Sequence, residues 1–128
     1  MVAVDTNIVV RLLIGDDPAQ TQTAELFTNP GAWVSTLVLA ETIWVLSSKY
    51  GQTAAQLIRV IERLLMHRDL VIEDPVVARR ALALYRERPS LGFSDCLILE
   101  IARKAGHLPL GTFDRTLGKA NGTQKLGR

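Results

Sequence analysis

Hydrophobic and polar positions follow two different periods along the chain, and each period predicts one kind of element. Short apolar runs rich in β-forming residues predict strands at Val2–Val4, Ala32–Val34, Leu70–Ile72 and Leu108–Leu110. Longer segments with apolar residues three and four positions apart predict helices between these strands. Strands that alternate with helices at this spacing predict an α/β fold, with a parallel sheet covered by helices on both faces.

Capping residues mark where several of these helices begin. Asp17 and Asp74 each precede a proline, a pair that suits the N-cap and the first helical position. Ser35 or Thr36 is expected to cap the helix after the second strand, and Thr53 the next one. The helix starts therefore agree with the apolar periodicity.

Two features near the C-terminus weaken the pattern. Pro109 counts against an interior strand at Leu108–Leu110, since proline has no N–H to donate to a neighbouring strand. A last short strand near Lys125-Leu126 is the weakest prediction. The sequence shows no repeat and no linker, so residues 1–128 are expected to form a single domain.

Composition narrows the class of protein. A chain of 128 residues with 48% apolar content can bury a core without crosslinks. Cys96 is the only cysteine, which excludes an intrachain disulfide, and there is no Cys/His cluster for zinc. The apolar stretch Leu37–Leu46 is interrupted by Glu41 and is too short to span a bilayer. Met1 is not followed by a signal-peptide pattern, and a cytoplasmic protein without membrane association is expected.

Four acidic residues occupy positions that the topology can bring together. Asp5 and Asp114 follow predicted strands, Glu41 lies on the helix after the second strand, and Asp95 lies in the first turn of the helix before the fourth. Ligands of open α/β sheets bind at the carboxyl ends of the strands, so these carboxylates are expected to converge there.

Each acid has an ordinary structural alternative. Asp5 could be an N-cap, Asp95 could complement the helix dipole, and Asp114 could form an Asx-turn. Glu41 interrupts an apolar segment and could lie on a narrow solvent-exposed stripe. These alternatives stay open for the residues taken singly.

Together the four acids predict a metal site. Clustered carboxylates repel unless a cation neutralises them, and oxygen ligands without Cys or His select Mg²⁺ or Mn²⁺. Such ions activate water for hydrolysis of a phosphodiester. With the four acids set aside, nine acids face fifteen Lys and Arg, a surplus of +6 that suits a phosphate backbone, although an ordinary solvated surface is the alternative.

Neighbouring polar residues are candidates for orienting the acids or bound water by hydrogen bonding: Thr6, Asn7, Ser94 and Thr112. Each could equally be a cap or a turn residue. No catalytic role is assigned to the histidines or to Cys96, since no Ser/His or Cys/His constellation is present. Trp33 and Trp44 are expected in the core or at an interface before they are expected to stack on bases.

Four segments of the chain resemble the motifs of PIN-domain ribonucleases, in order and at suitable spacing. They are Ala3 to Leu13 around Asp5-Thr6-Asn7, Glu41 to Leu46, Ser94 to Ile98, and Thr112 to Arg115. The resemblance covers nearly the whole chain and is closest to VapC-type toxins of type II toxin-antitoxin pairs. Cys96, where such sequences often have Ala, and Gly111, in place of a common apolar residue, are slight departures that remove no ligand.

The resemblance implies a three-layer α/β/α sandwich around a central parallel sheet. It implies an endoribonuclease that binds Mg²⁺ or Mn²⁺ through Asp5, Glu41, Asp95 and Asp114. It also implies a homodimer, held inactive by a small VapB-like antitoxin that covers the site and often places an Arg among the carboxylates. Contact with DNA would occur only through the antitoxin.

Two other functions compete with this hypothesis. A phosphatase on a similar sheet usually places a second acid close after the first, but Asp5 is followed by Thr6-Asn7, and no Lys or Arg lies between Gly106 and Asp114. A domain of the same fold that binds RNA or protein without cleaving is the other alternative. Four intact acids argue against it without excluding it.

Overall fold

The structure, a computed structural model, describes residues 1–127. The chain divides into two compact units, Met1–Pro75 and a second that begins at Val76. Each unit has its own parallel strands. The parallel strands and six helices confirm the predicted α/β fold.

The first unit contains three parallel strands joined by pairs of helices. Its elements in chain order are β1 (Val2–Ala3), α1 (Thr6–Ile14), α2 (Pro18–Thr28), β2 (Ala32–Val34), α3 (Thr36–Ser48), α4 (Ala54–Met66) and β3 (Leu70–Ile72). The strand order is β1-β2-β3, so β2 is central. Val2 pairs with Ala32, and Trp33 pairs with Val71. Parallel pairing places the carboxyl ends of all three strands at one edge of this sheet.

Three of the predicted N-caps, Asp17, Ser35 and Thr53, are present in this unit. The Asp17 carboxylate accepts a hydrogen bond from the N–H of Gln20, and Pro18 occupies the first turn of α2. Ser35 caps α3, which settles the choice between it and Thr36. Thr53 and Gln56 form a reciprocal capping box at the start of α4.

Buried side chains in the first unit follow the predicted periodicity. On α4 the buried positions are Leu57, Val60, Ile61 and Leu64, which is the stripe expected of an amphipathic helix. Some large apolar residues lie outside the core. Phe27 of α2 is 50% exposed and Trp44 of α3 is 61% exposed. The tryptophans were expected in the core or at an interface, and Trp44, outside the core, leaves the interface as the prediction for this residue.

The second unit contains two helices and two parallel strands. Its elements are α5 (Pro75–Glu87), α6 (Phe93–Ala105), β4 (Leu110–Thr112) and β5 (Thr123–Lys125), with short 3-10 helices at Pro89–Leu91 and Leu117–Lys119. Gly106 ends α6 in the left-handed conformation, which glycine adopts without steric cost. Within residues 1–127, every helix is too short or too polar to span a lipid bilayer.

Both strands of the second unit are displaced from their predicted positions. β4 begins at Leu110 rather than Leu108, because Pro109 cannot donate a hydrogen bond to a neighbouring strand. β5 begins at Thr123, two residues before the predicted Lys125-Leu126. As a result Thr112 is the last residue of β4, and Asp114 follows two residues later.

Gly118, in the 3-10 helix Leu117–Lys119, allows β5 to approach closely. A Cβ atom on Gly118 would lie 2.7 Å from the Cβ of Lys125. We expect Gly118→Ala to lower the free energy of unfolding by about 1–3 kcal/mol, measured by urea denaturation, because the strand must move away. Gly111→Ala is the matched control, since its Cβ would meet only the Leu126 Cδ1 at 3.6 Å. Equal stability of the two variants would contradict this account.

Candidate active site

Asp5 lies directly beyond β1 and caps α1. Its Oδ1 accepts a hydrogen bond of 3.2 Å from the N–H of Ile8, and the side chain is exposed. Asp5 is therefore an N-cap, as its structural alternative predicted. The capping bond uses only one of the two carboxylate oxygens. The backbone thus holds the Asp5 carboxylate in place at the carboxyl edge of the sheet.

Glu41 and Thr6 meet where α3 packs against α1. The Thr6 hydroxyl donates a 2.9 Å hydrogen bond to Oε2 of Glu41. Thr6 follows Asp5 in the chain, so two of the predicted acids lie at neighbouring positions of the first unit. Glu41 is exposed to solvent, which avoids the cost of burying an unpaired carboxylate.

Glu73 is a third carboxylate at this edge that the sequence reasoning did not single out. It follows β3, and its Oε1 accepts a 2.9 Å hydrogen bond from the N–H of Thr36. It therefore caps the N-terminus of α3 and helps to fix the helix that carries Glu41. Its position directly after a predicted strand was the signal that could have identified it.

Asp114 is fixed by hydrogen bonds on both sides. Its N–H donates to the hydroxyl of Thr112 at 3.0 Å. Its Oδ1 accepts a 2.7 Å hydrogen bond from the N–H of Leu117. The bond to the N–H three residues later is a capping contact and not the Asx-turn of the structural alternative, which would use the N–H two residues later, and it holds the carboxylate at the start of the 3-10 helix.

Asp95 lies in the first turn of α6 and is partly buried. Burial raises its pKa above the ordinary aspartate value, and the negative charge of Asp114 raises it further. Within the second unit, the charge of Asp114 therefore acts on the carboxyl group of Asp95.

The remaining predicted site residues are Asn7 and Ser94. Both are exposed, Asn7 on the first turn of α1 and Ser94 on the first turn of α6. Asn7 lines a groove beside Asp5. Their positions next to Thr6 and Asp95 suit contacts with a ligand or with water.

The four predicted metal ligands are carboxylates, and their grouping and chemistry decide whether they suit a metal ion. Among residues 1–127, no three or more His, Cys, Asp or Glu side chains form a group that could hold a metal ion. The carboxylate oxygens of Asp95 and Asp114 are nevertheless the ligands that a hard divalent cation prefers, and such an ion would favour the ionised form of Asp95, which burial and the charge of Asp114 disfavour. The donor set fits Mg²⁺ or Mn²⁺.

Cys96 follows Asp95 but has the opposite character. Its side chain is fully buried, and burial together with the charges of Asp95 and Glu100 raises the pKa of the thiol to about 12. A thiol with such a pKa stays protonated at neutral pH. The structure thus supports the assignment of no nucleophilic role to Cys96.

The thiol of Cys96 should accordingly be inert in the folded chain. We expect no reaction with a thiol-specific disulfide reagent from pH 7 to pH 9, because the thiolate is negligible over that range and the sulfur is buried. In denaturant one thiol per chain should react at once. If the folded chain reacts at pH 7 as fast as the denatured chain does, that result would contradict the buried position of Cys96.

A comparison with protein-family models matches the PIN domain over residues 2–122. Comparisons with curated proteins and with solved structures gave no match. The matched range is almost the whole chain and includes all four of the predicted acids. The chain therefore belongs to the PIN domain family, whose members are typically metal-dependent nucleases.

Proposed function

We propose that the chain is a metal-dependent endoribonuclease that hydrolyses RNA, with Asp5, Glu41, Asp95 and Asp114 as its catalytic and metal-binding residues. The observation that carries the proposal is Asp95 in the first turn of α6, whose pKa is raised by burial and further by the charge of Asp114. Acids with perturbed pKa values cluster at functional sites.

The hydrogen bonds around the acids prepare them for this role. The N–H groups of Ile8 and Leu117 fix the carboxylates of Asp5 and Asp114 before any ligand binds. The Thr6 hydroxyl orients Glu41 in the same way. Carboxylate side chains that are already held in place lose little conformational entropy when a metal ion binds. This raises the affinity for the ion without any new contact.

The proposed reaction is hydrolysis of a phosphodiester. When bound, a divalent cation supplies activation of the attacking water and stabilisation of the leaving oxygen. The four carboxylates would hold Mg²⁺ or Mn²⁺. Water adds to phosphorus, and the bond from phosphorus to one ribose oxygen breaks. Thr112 and Ser94 lie beside Asp114 and Asp95, where their hydroxyl groups would orient bound water.

A nucleic acid is the proposed substrate because the charge outside the four acids is positive, and the resemblance to PIN-domain ribonucleases makes it RNA. Nine acids oppose fifteen Lys and Arg there. Backbone contacts of this kind bind nucleic acid with a steep dependence on salt.

The motifs that resemble VapC-type toxins give a more specific proposal. The chain would be the toxin of a type II pair, a homodimer, inhibited by a small antitoxin that places an Arg among the carboxylates. Arginine forms strong, paired hydrogen bonds with carboxylates and could replace the metal.

Cleavage of RNA tests the proposed function directly. We expect the purified chain to cut some members of a panel of single-stranded and structured RNAs with Mg²⁺ or Mn²⁺, and none with EDTA. Asp95→Asn should lower the rate at least about 100-fold, because it removes a ligand and its charge. A cognate antitoxin, encoded beside this chain, should abolish cleavage.

Glu87→Gln is the control, since it removes an exposed carboxylate from α5 of the same unit and should leave the rate unchanged. Circular dichroism of every variant checks the fold. Cleavage that persists in EDTA or in Asp95→Asn would refute the proposed site. RNA binding without cleavage under any metal would favour the non-catalytic alternative.

A further inference from the structure

A groove beside Asp5 lies between α1 and α2 of the first unit. It has a volume of about 710 Å³, within the usual range for small-molecule sites. The residues that give it chemical character are Asp5, Asn7 and Ile8 from the α1 side and Gln20, Thr23 and Phe27 from α2. No role in the proposed reaction accounts for it.

The ring of Phe27 forms part of the wall and is 50% exposed. Helix α2 buries only Ala24 and Thr28, so Phe27 contributes little to the core. An exposed aromatic face beside a nuclease site suits stacking on an unpaired nucleobase. Leu26, its neighbour on α2, is 71% exposed and does not line the groove, which sets Phe27 apart from a general apolar surface.

The polar groups of the groove have fixed hydrogen-bonding roles. Gln20 Oε1 accepts a 2.7 Å bond from Nε of Arg11, so its amide NH₂ group is left as the donor toward the groove. The Thr23 hydroxyl donates to the carbonyl of Ala19 at 3.0 Å, so its oxygen can act only as an acceptor. Gln20 and Thr23 are three residues apart on one helical face and are neighbours there. A hydrogen-bond donor beside an acceptor matches the donor and acceptor groups along the edge of a nucleobase.

The charges that line the groove balance each other. Arg11 and Asp5 both line it, and the Arg11 guanidinium also forms an ion pair with Asp16 at 3.0 Å. A lining without net charge suits a neutral, flat base with polar edges.

From this chemistry we propose that the groove between α1 and α2 binds one unpaired RNA base next to the phosphodiester that is cleaved. Phe27 stacks on the base, and Gln20 determines which base is accepted. The inference rests on the proposed nuclease function. It adds a specificity site that the four acids do not supply.

Binding of single-stranded RNA tests the proposal without metal or cleavage. Four short RNAs, each of one base type, are titrated in EDTA and followed by fluorescence anisotropy, and a 2-aminopurine probe reports stacking. We expect Phe27→Leu to weaken binding of the preferred RNA by about 5- to 100-fold and to remove the 2-aminopurine quenching. Phe27→Tyr keeps the aromatic face and should bind within about 2-fold of the unmodified chain. Leu26→Ala should have no effect.

A second variant tests base choice. Gln20→Glu replaces the donor toward the groove by an acceptor while its carboxylate can still pair with Arg11, so the order of preference among the four RNAs should change. An unchanged order would overturn the role assigned to Gln20. Because all of these side chains are exposed, thermal melting should show the variants folded.

The outcomes separate this proposal from the nuclease proposal. If Phe27→Leu binds every RNA as the unmodified chain does, while Asp95→Asn still abolishes cleavage, the base site is wrong and the nuclease stands. Binding that depends on Phe27 without any metal-dependent cleavage would reject the nuclease and, with it, the position of the base beside a cleaved phosphodiester, and would keep only the stacking of a base on Phe27. If Phe27→Leu leaves RNA binding intact but blocks an apolar helical peptide, the groove is a protein-docking site and the proposal is overturned.

Discussion

The environment of the Asp95 carboxylate is the constraint on which the functional account depends. In the second unit partial burial, and in addition the charge of Asp114, disfavour the ionised form of Asp95. A structural aspartate at a helix start needs neither feature, since the helix dipole alone would favour its charged form. Both features are explained if a bound divalent cation, and not another part of the fold, neutralises the carboxylate of Asp95.

Backbone geometry supplies the rigidity that such a site needs. In both units an aspartate Oδ1 accepts a hydrogen bond from the N–H three residues later, Ile8 for Asp5 and Leu117 for Asp114. Capping and function are therefore not alternatives at these positions. The same bond that stabilises a helix start also fixes a carboxylate, and each aspartate has a second oxygen for a ligand.

Local chemistry explains which features could be predicted from the sequence. Caps such as Thr53 and the Asp17-Pro18 pair depend on residues a few positions apart, and the structure has them where they were expected. The later start of β4 follows from Pro109, which is local too, whereas the exposure of Phe27 depends on packing between elements, which periodicity does not describe. The groove was missed for the same reason, because the periodicity of α2 does not show which of its apolar residues are exposed. The joint action of the four acids as one site remains a prediction.

Titration of the carboxyl carbons by NMR tests the central claim most directly. In EDTA, the account predicts a pKa for Asp95 above the ordinary value of about 3.9. That pKa should fall in Asp114→Asn, where one source of repulsion is removed, and it should fall in the unmodified chain when Mg²⁺ is added, since a bound cation favours the ionised form. An ordinary pKa for Asp95, unchanged by Asp114→Asn and by Mg²⁺, would contradict the account.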